Sequence, residues 1–126
     1  MLVEDEADVR RIVAETLRAL GYRVCEAEDG CTALRMLKDW SGRIDLLLTD
    51  IGLPGALDGI ALAEQSMQLR PGLRVLYMSG YGEGTDENSN RRRVPPGRLI
   101  GKPFRREQLA RAVYETLRSP GNAVAA

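Results

Sequence analysis

Five residues carry the chemistry open to this sequence: Glu4, Asp5, Asp50, Ser79 and Lys102. Each sits where an apolar run ends. Glu4-Asp5 follow Leu2-Val3, Asp50 follows Leu46-Leu47-Leu48-Thr49, Ser79 closes the run at 73–78, and Lys102 follows Leu99-Ile100-Gly101. Alone, Asp50 reads as a helix cap or an ion-pair partner. Two more acids at the end of a neighbouring strand change that reading. Three carboxylates repel one another, and the set calls for a hard divalent cation with oxygen ligands. Mg²⁺ suits it, because Mg²⁺ uses few protein carboxylates and keeps water or phosphate oxygens as its other ligands. Lys102 supplies a point charge of the kind that binds phosphate, and Ser79 supplies a hydroxyl. A cation, an ammonium and a hydroxyl around one carboxylate match a phosphoryl group carried on that carboxylate. Asp50 is then the in-line nucleophile. Lys102-Pro103 is a candidate cis bond, which would fix the direction of the lysine.

These groups meet only if the apolar runs are neighbouring strands of one sheet. Runs of this kind read as buried parallel strands, and an open parallel sheet carries its working groups at the carboxyl ends. The pattern predicts strands at 1–5, 22–27, 45–49, 73–78 and 99–101. The first reads as clipped against the usual ~5–6 residues. The run at 45–49 is apolar on both faces and therefore central. Helices are predicted at 8–20, with Val9, Ile12, Val13, Leu17 and Leu20 as its stripe, and at 31–40, on Ala33, Leu34 and Leu37. Gly21 suits the left-handed end of the first helix. A third helix is capped by Asp58 and stopped by Arg70-Pro71-Gly72. A last one buries Leu109, Ala112, Val113 and Leu117. The stretch 82–97 offers no apolar residue before Val94, so a fourth helix there is expected to be short, irregular or mobile. Alternation at this pitch implies right-handed βαβ crossovers. The fold class is α/β: a (βα)₅ doubly wound, five-stranded parallel sheet, flavodoxin-like, in order 2-1-3-4-5.

Composition removes several alternatives. The chain has 126 residues, 18 acidic and 18 basic side chains, and no histidine. Zero net charge gives no support for a general nucleic-acid binder or a polybasic membrane anchor. No apolar run reaches the ~20 residues of a membrane span, and no signal peptide is visible. Cys25 and Cys31 do not form a CxxC pair, which with no histidine argues against zinc. They read as reduced thiols in a cytoplasmic setting.

Taken together, Val3-Glu4-Asp5-Glu6, Leu48-Thr49-Asp50-Ile51-Gly52-Leu53-Pro54-Gly55, Asp58-Gly59, Met78-Ser79-Gly80-Tyr81 and Gly101-Lys102-Pro103-Phe104 resemble the receiver domain of two-component response regulators (CheY-like). The resemblance covers residues 2–117. It implies a phosphorelay protein, not an enzyme with a separate substrate, that takes a phosphoryl group from a phosphohistidine onto Asp50. It implies that Asp5, Asp50 and the carbonyl of Gly52 hold Mg²⁺ with Glu4 assisting through water. Ser79 would be the switch hydroxyl and Lys102 the phosphate-binding lysine. The implied partner is a histidine kinase or a histidine phosphotransfer protein, with no direct nucleic-acid contact and no membrane insertion. Residues 1–118 would be the receiver and 119–126 a flexible tail or linker. The loop from 50 to 59 is one residue longer than the common form, with Ala56 the extra residue. Loops of this type resemble receivers found in hybrid histidine kinases or standing alone.

The sequence departs from the family pattern at three places. Leu99 stands where an aromatic switch residue is usual, which points to another readout, such as ordering of 83–94 around Ser79. Gly52 and Tyr81 occupy the two positions that tune self-dephosphorylation, and neither orients a water. Arg91, Arg92, Arg93, Arg105 and Arg106 form either a solvated surface or a partner surface, while Trp40 and Phe104 read as packing residues. A haloacid-dehalogenase-type phosphatase needs a second acid two residues after its nucleophile, where this chain has Gly52. A flavin or nucleotide module needs a phosphate-cradling loop where Glu4-Asp5-Glu6 stand. A degenerate receiver that only docks is opposed by the intact acid set.

Overall fold

Leu47 and Leu48 are consecutive and both buried, so the strand that bears them has a layer on each face. The computed structural model describes residues 1–80 and 98–119. Its strands are β1 (Leu2–Val3), β2 (Glu26–Ala27), β3 (Leu46–Asp50), β4 (Arg74–Ser79) and β5 (Arg98–Gly101). They form one parallel sheet in the order β2-β1-β3-β4-β5. Among the described residues the helices are α1 (Ala7–Ala19), α2 (Gly30–Asp39), α3 (Gly59–Leu69) and α4 (Arg106–Arg118). Successive strand residues point to opposite faces. Val3, Leu47, Val75 and Tyr77 therefore pack with Ala33 of α2 and Ile60, Leu62 and Ala63 of α3. Leu2, Leu48, Leu76 and Met78 pack with Val13, Ala14 and Leu17 of α1 and Leu109 and Val113 of α4. This is the doubly wound α/β arrangement, with β3 in the middle.

Helix ends obey local chemistry. Gly21 has φ +98°. The N–H of Tyr22 donates to Leu17 O at 3.1 Å and that of Gly21 to Arg18 O at 3.0 Å, the paired bonds that close a helix through a left-handed glycine. Asp58 Oδ1 accepts from Ala61 N at 2.9 Å, as its position predicts. Asp29 Oδ1 accepts from Thr32 N at 2.7 Å, so α2 starts one residue earlier than its periodicity suggests. Arg70 does more than stop α3. Its guanidinium donates to Gly42 O at 2.8 Å and Leu37 O at 3.1 Å, and also to Trp40 O. It thereby gathers the carbonyls at the end of α2.

Three expectations are corrected. β2 is two residues long, not six, because β1 offers only Leu2 and Val3 as partners. The α1 stripe is narrower than predicted: Ile12 is 59% and Leu20 39% exposed, while Ala14 is buried. Each residue turns a helix by roughly 100°, which carries Ile12 off the arc centred on Val13 and Leu17. Trp40 is half exposed, with its indole against Gly42, whereas Phe104 packs on the α1/α4 layer. The expectations for 82–97, for Tyr81, for Arg91, Arg92 and Arg93, and for the tail at 120–126 lie outside the described residues.

Gly59 fixes the loop after β3. A Cβ there would lie 2.0 Å from Asp50 O and 2.8 Å from Ile51 Cα, and backbone does not yield as a side-chain tip does. Gly59→Ala is expected to cost roughly 3 kcal/mol, read as a lowered urea midpoint. An unchanged midpoint would mean that the loop moves freely, against its Gly59 N–H bond to Ile51 O at 2.9 Å.

Candidate functional site

Register brings the predicted residues together. β1 lies beside β3 with Val3 opposite Thr49, so Glu4 and Asp50 leave the sheet side by side. β4 lies beside β5 with Ser79 opposite Gly101, and the Lys102 amide donates to Ser79 O at 2.7 Å. The Lys102-Pro103 bond is cis. From the far side Lys102 Nζ reaches Asp50 Oδ2 at 2.9 Å and Glu4 Oε2 at 3.4 Å. Asp50 is buried, and its Oδ1 accepts from Gly52 N at 3.2 Å. Glu4 is wholly buried, and its Oε1 accepts from Glu6 N at 3.2 Å. Asp5 is exposed at the cleft mouth. One carboxylate oxygen from each of Glu4, Asp5 and Asp50 lies within 4.8 Å of the others. The cleft above them has a volume of about 660 Å³ and is also lined by Gly52, Gly80 and Phe104. Ser79 is buried, its hydroxyl donating to Gly80 O at 3.2 Å. Leu99 is 51% exposed on β5.

The site is short of positive charge. Burial first, and then the charge on Asp50, push the Glu4 carboxyl up to about 7, against the pull of the Glu6 amide and Lys102. Burial works against the Lys102 ammonium, but its bonds to Asp50 and Glu4 outweigh burial and raise its pKa. Lys102 therefore stays charged, yet one ammonium serves two buried carboxylates with a third beside them. Three hard oxygen donors this close suit a divalent ion such as Mg²⁺.

A raised carboxyl makes stability depend on pH with a definite sign. The folded chain holds a proton on Glu4 up to about pH 7, whereas a glutamate in the unfolded chain releases it near 4.5. In the absence of metal, stability is fully present below that lower value and falls as pH rises through the upper one. The loss is of order 1–3 kcal/mol. Urea titrations across this window are expected to show it, and saturating Mg²⁺ to suppress it. A metal-free chain equally stable throughout would contradict the raised Glu4 carboxyl.

One residue that sequence reasoning missed is Arg10, whose Nη1 donates to the main-chain oxygen of Glu4 at 2.8 Å. A side chain that bonds a backbone carbonyl leaves no periodic signal.

A parallel α/β sheet with acids and a lysine gathered at its carboxyl edge defines an open α/β protein whose working site lies at the strand ends. The family model described as response regulator receiver domain matches residues 1–114. The chain belongs to that family. It is 30% identical over 120 residues to the response regulator receiver protein CpdR of Brucella abortus, covering 93% of this chain and 94% of CpdR. It is 33% identical over 120 residues to the sensor kinase CckA of the same organism, covering 93% of this chain but only 12% of the kinase. Among solved structures it resembles a response regulator receiver protein from Sinorhizobium medicae, with TM-score 0.80 and 31% identity, covering 94% of this chain and 92% of that one. It also resembles the receiver domain of the hybrid histidine kinase CckA, with TM-score 0.76 and 35% identity, covering 93% and 96%. The chain is thus a response regulator receiver domain of phosphorelay signalling, with the flavodoxin-like strand order. Among the described residues no helix is long and apolar enough to cross a membrane.

Proposed function

We propose that Asp50 accepts the phosphoryl group and that Glu4, Asp5, Ser79, Lys102 and the Gly52 carbonyl serve it. The observation that carries this reading is the 2.9 Å contact between Lys102 Nζ and Asp50 Oδ2, within reach of two further carboxylates. An Asp50 carboxylate oxygen attacks the phosphorus of a phosphohistidine. The new O–P bond forms as the P–N bond breaks, and the imidazole leaves with the electron pair and takes up a proton. Lys102 follows the charge onto the transferred oxygens. Asp5, Asp50 and the Gly52 carbonyl, with Glu4 behind them, would hold Mg²⁺, and the ion would supply there the positive charge that the phosphoryl oxygens need. Ser79 is the hydroxyl that reports the modification.

The donor is a histidine kinase or a histidine phosphotransfer protein, because this chain has no histidine of its own. That fits a cytoplasmic protein with a receiver at 1–118. The match to part of a sensor kinase makes a linked kinase one setting for it, and the match along the length of CpdR a free-standing regulator the other. The test is incubation with acetyl phosphate and Mg²⁺, which is expected to add one phosphoryl group; no addition at any Mg²⁺ concentration would overturn the proposal.

Gly52 carries no side chain to hold an attacking water beside Asp50. The phosphoaspartate is therefore expected to be long-lived, and Gly52→Asn to shorten its half-life by about tenfold. Decay followed by intact-mass spectrometry decides this. Fast decay that Gly52→Asn leaves alone would show that another group places the water.

A further inference from the structure

Arg10 stands in the first turns of α1, and its side chain is only 20% exposed. Its guanidinium ties three elements. Nη1 donates to Glu4 O at 2.8 Å, and Nε lies 3.5 Å from Glu26 Oε1 on β2. Arg18 holds Glu26 from the other side at 3.1 Å and donates to Val24 O at 3.0 Å. Two turns of α1 are thus strapped to β2, and the nearer strap ends on the peptide that joins Glu4 to Asp5. Strand pairing ends at the Glu4 amide, which donates to Ala27 O at 3.1 Å. The orientation of this one peptide plane sets where two carboxylates point. Glu4 goes inward to Lys102, and Asp5 goes to the mouth of the cleft.

We propose that Arg10 is a positioning residue for the metal-binding loop, its guanidinium fixing the Glu4–Asp5 peptide against β2 so that both carboxylates face Asp50. The proposal rests on reading the acid cluster as a Mg²⁺ site. Arginine fits this post because its planar fork serves a carbonyl and a carboxylate at once, whereas a lysine ammonium is one point charge. Arg10 touches neither the metal nor the phosphoryl group and acts only through the backbone of Glu4.

The test uses the whole chain without phosphodonor. Mg²⁺ binding is measured by calorimetry, and amide exchange in metal-free buffer reads the loop. Losing one charge-assisted hydrogen bond at the loop is expected to weaken Mg²⁺ binding about tenfold in Arg10→Met. Arg10→Lys, which keeps one donor, is expected to lose about threefold. The Asp5 and Glu6 amides are expected to exchange faster in Arg10→Met while those of Leu48 and Leu76 keep their parental rates. A merely structural role would instead lower the urea midpoint and leave the Mg²⁺ affinity where it was. An Arg10→Met chain that binds Mg²⁺ as the parent does overturns the proposal alone. A parent chain that binds no Mg²⁺ at all overturns the metal reading of the site, and the proposal with it.

Discussion

An Asp50→Asn chain incubated with acetyl phosphate and Mg²⁺ is expected to take up no phosphoryl group, while its fold survives. The amide is close in shape to the carboxylate and still offers an oxygen to the Gly52 N–H, now 3.2 Å from Oδ1. It lacks the nucleophilic charge, so the reaction has no first step. The substitution also removes the second cause of the raised Glu4 carboxyl. Lys102 Nζ, shared between Asp50 Oδ2 and Glu4 Oε2, can then serve Glu4 fully. The pH dependence of the metal-free chain should flatten as acceptance disappears. Intact mass and urea titration across the same pH range read the two effects separately. Phosphoryl uptake by Asp50→Asn at the parental rate would place the acceptor elsewhere.

Lys102→Met produces the second large effect, and it acts in two directions. At saturating Mg²⁺ the acceptance rate is expected to fall by about a hundredfold or more, because a preorganised cation is gone from where charge develops. In metal-free buffer above pH 7 the chain is expected to lose about 2 kcal/mol of stability, since two buried carboxylates lose their shared counter-ion. That lies below the range for a fully buried pair, because the Lys102 side chain is still 18% exposed. Acid should restore most of the loss, since protonating Glu4 removes one of the two charges, and Mg²⁺ should restore part. A Lys102→Met chain that is as stable as the parent above pH 7 would mean that solvent already screens these acids.

The site was legible because its parts are short and terminal to apolar runs. Leu46-Leu47-Leu48 announces a strand buried on both faces, and the residues at its carboxyl end must emerge at the sheet edge. The same reasoning puts the strands that bear Glu4-Asp5 and Ser79 on either side of the Asp50 strand, as the pairings of Val3 with Thr49 and of Asp50 with Met78 bear out. The resemblance gives Glu4 an indirect part at the metal; the structure adds that its wholly buried carboxylate also reaches Lys102. The narrowed stripe on α1 shows the limit of periodicity: Ile12 has helical spacing and still faces outward. The contacts of Arg10 and Arg70 with main-chain oxygens are absent from the sequence reading for a common reason: each guanidinium reaches carbonyls that come close only once elements are packed, and leaves no pattern in the order of residues. The Asp29 cap is local, accepting from the amide three residues on, and an aspartate just before Gly30 is its sequence signal. The dependence of β2 on the length of β1 is likewise a matter of pairing, which a propensity reading of 22–27 does not weigh.

The most direct measurement is the mass of the chain after acetyl phosphate and Mg²⁺, followed by reductive trapping and peptide mapping of the acyl phosphate. One phosphoryl increment, dependent on Mg²⁺ and mapped to Asp50, is the predicted result. An increment mapped to any other residue, or none under conditions where Mg²⁺ is bound, would contradict a common pocket built from Asp5, Asp50, Ser79 and Lys102.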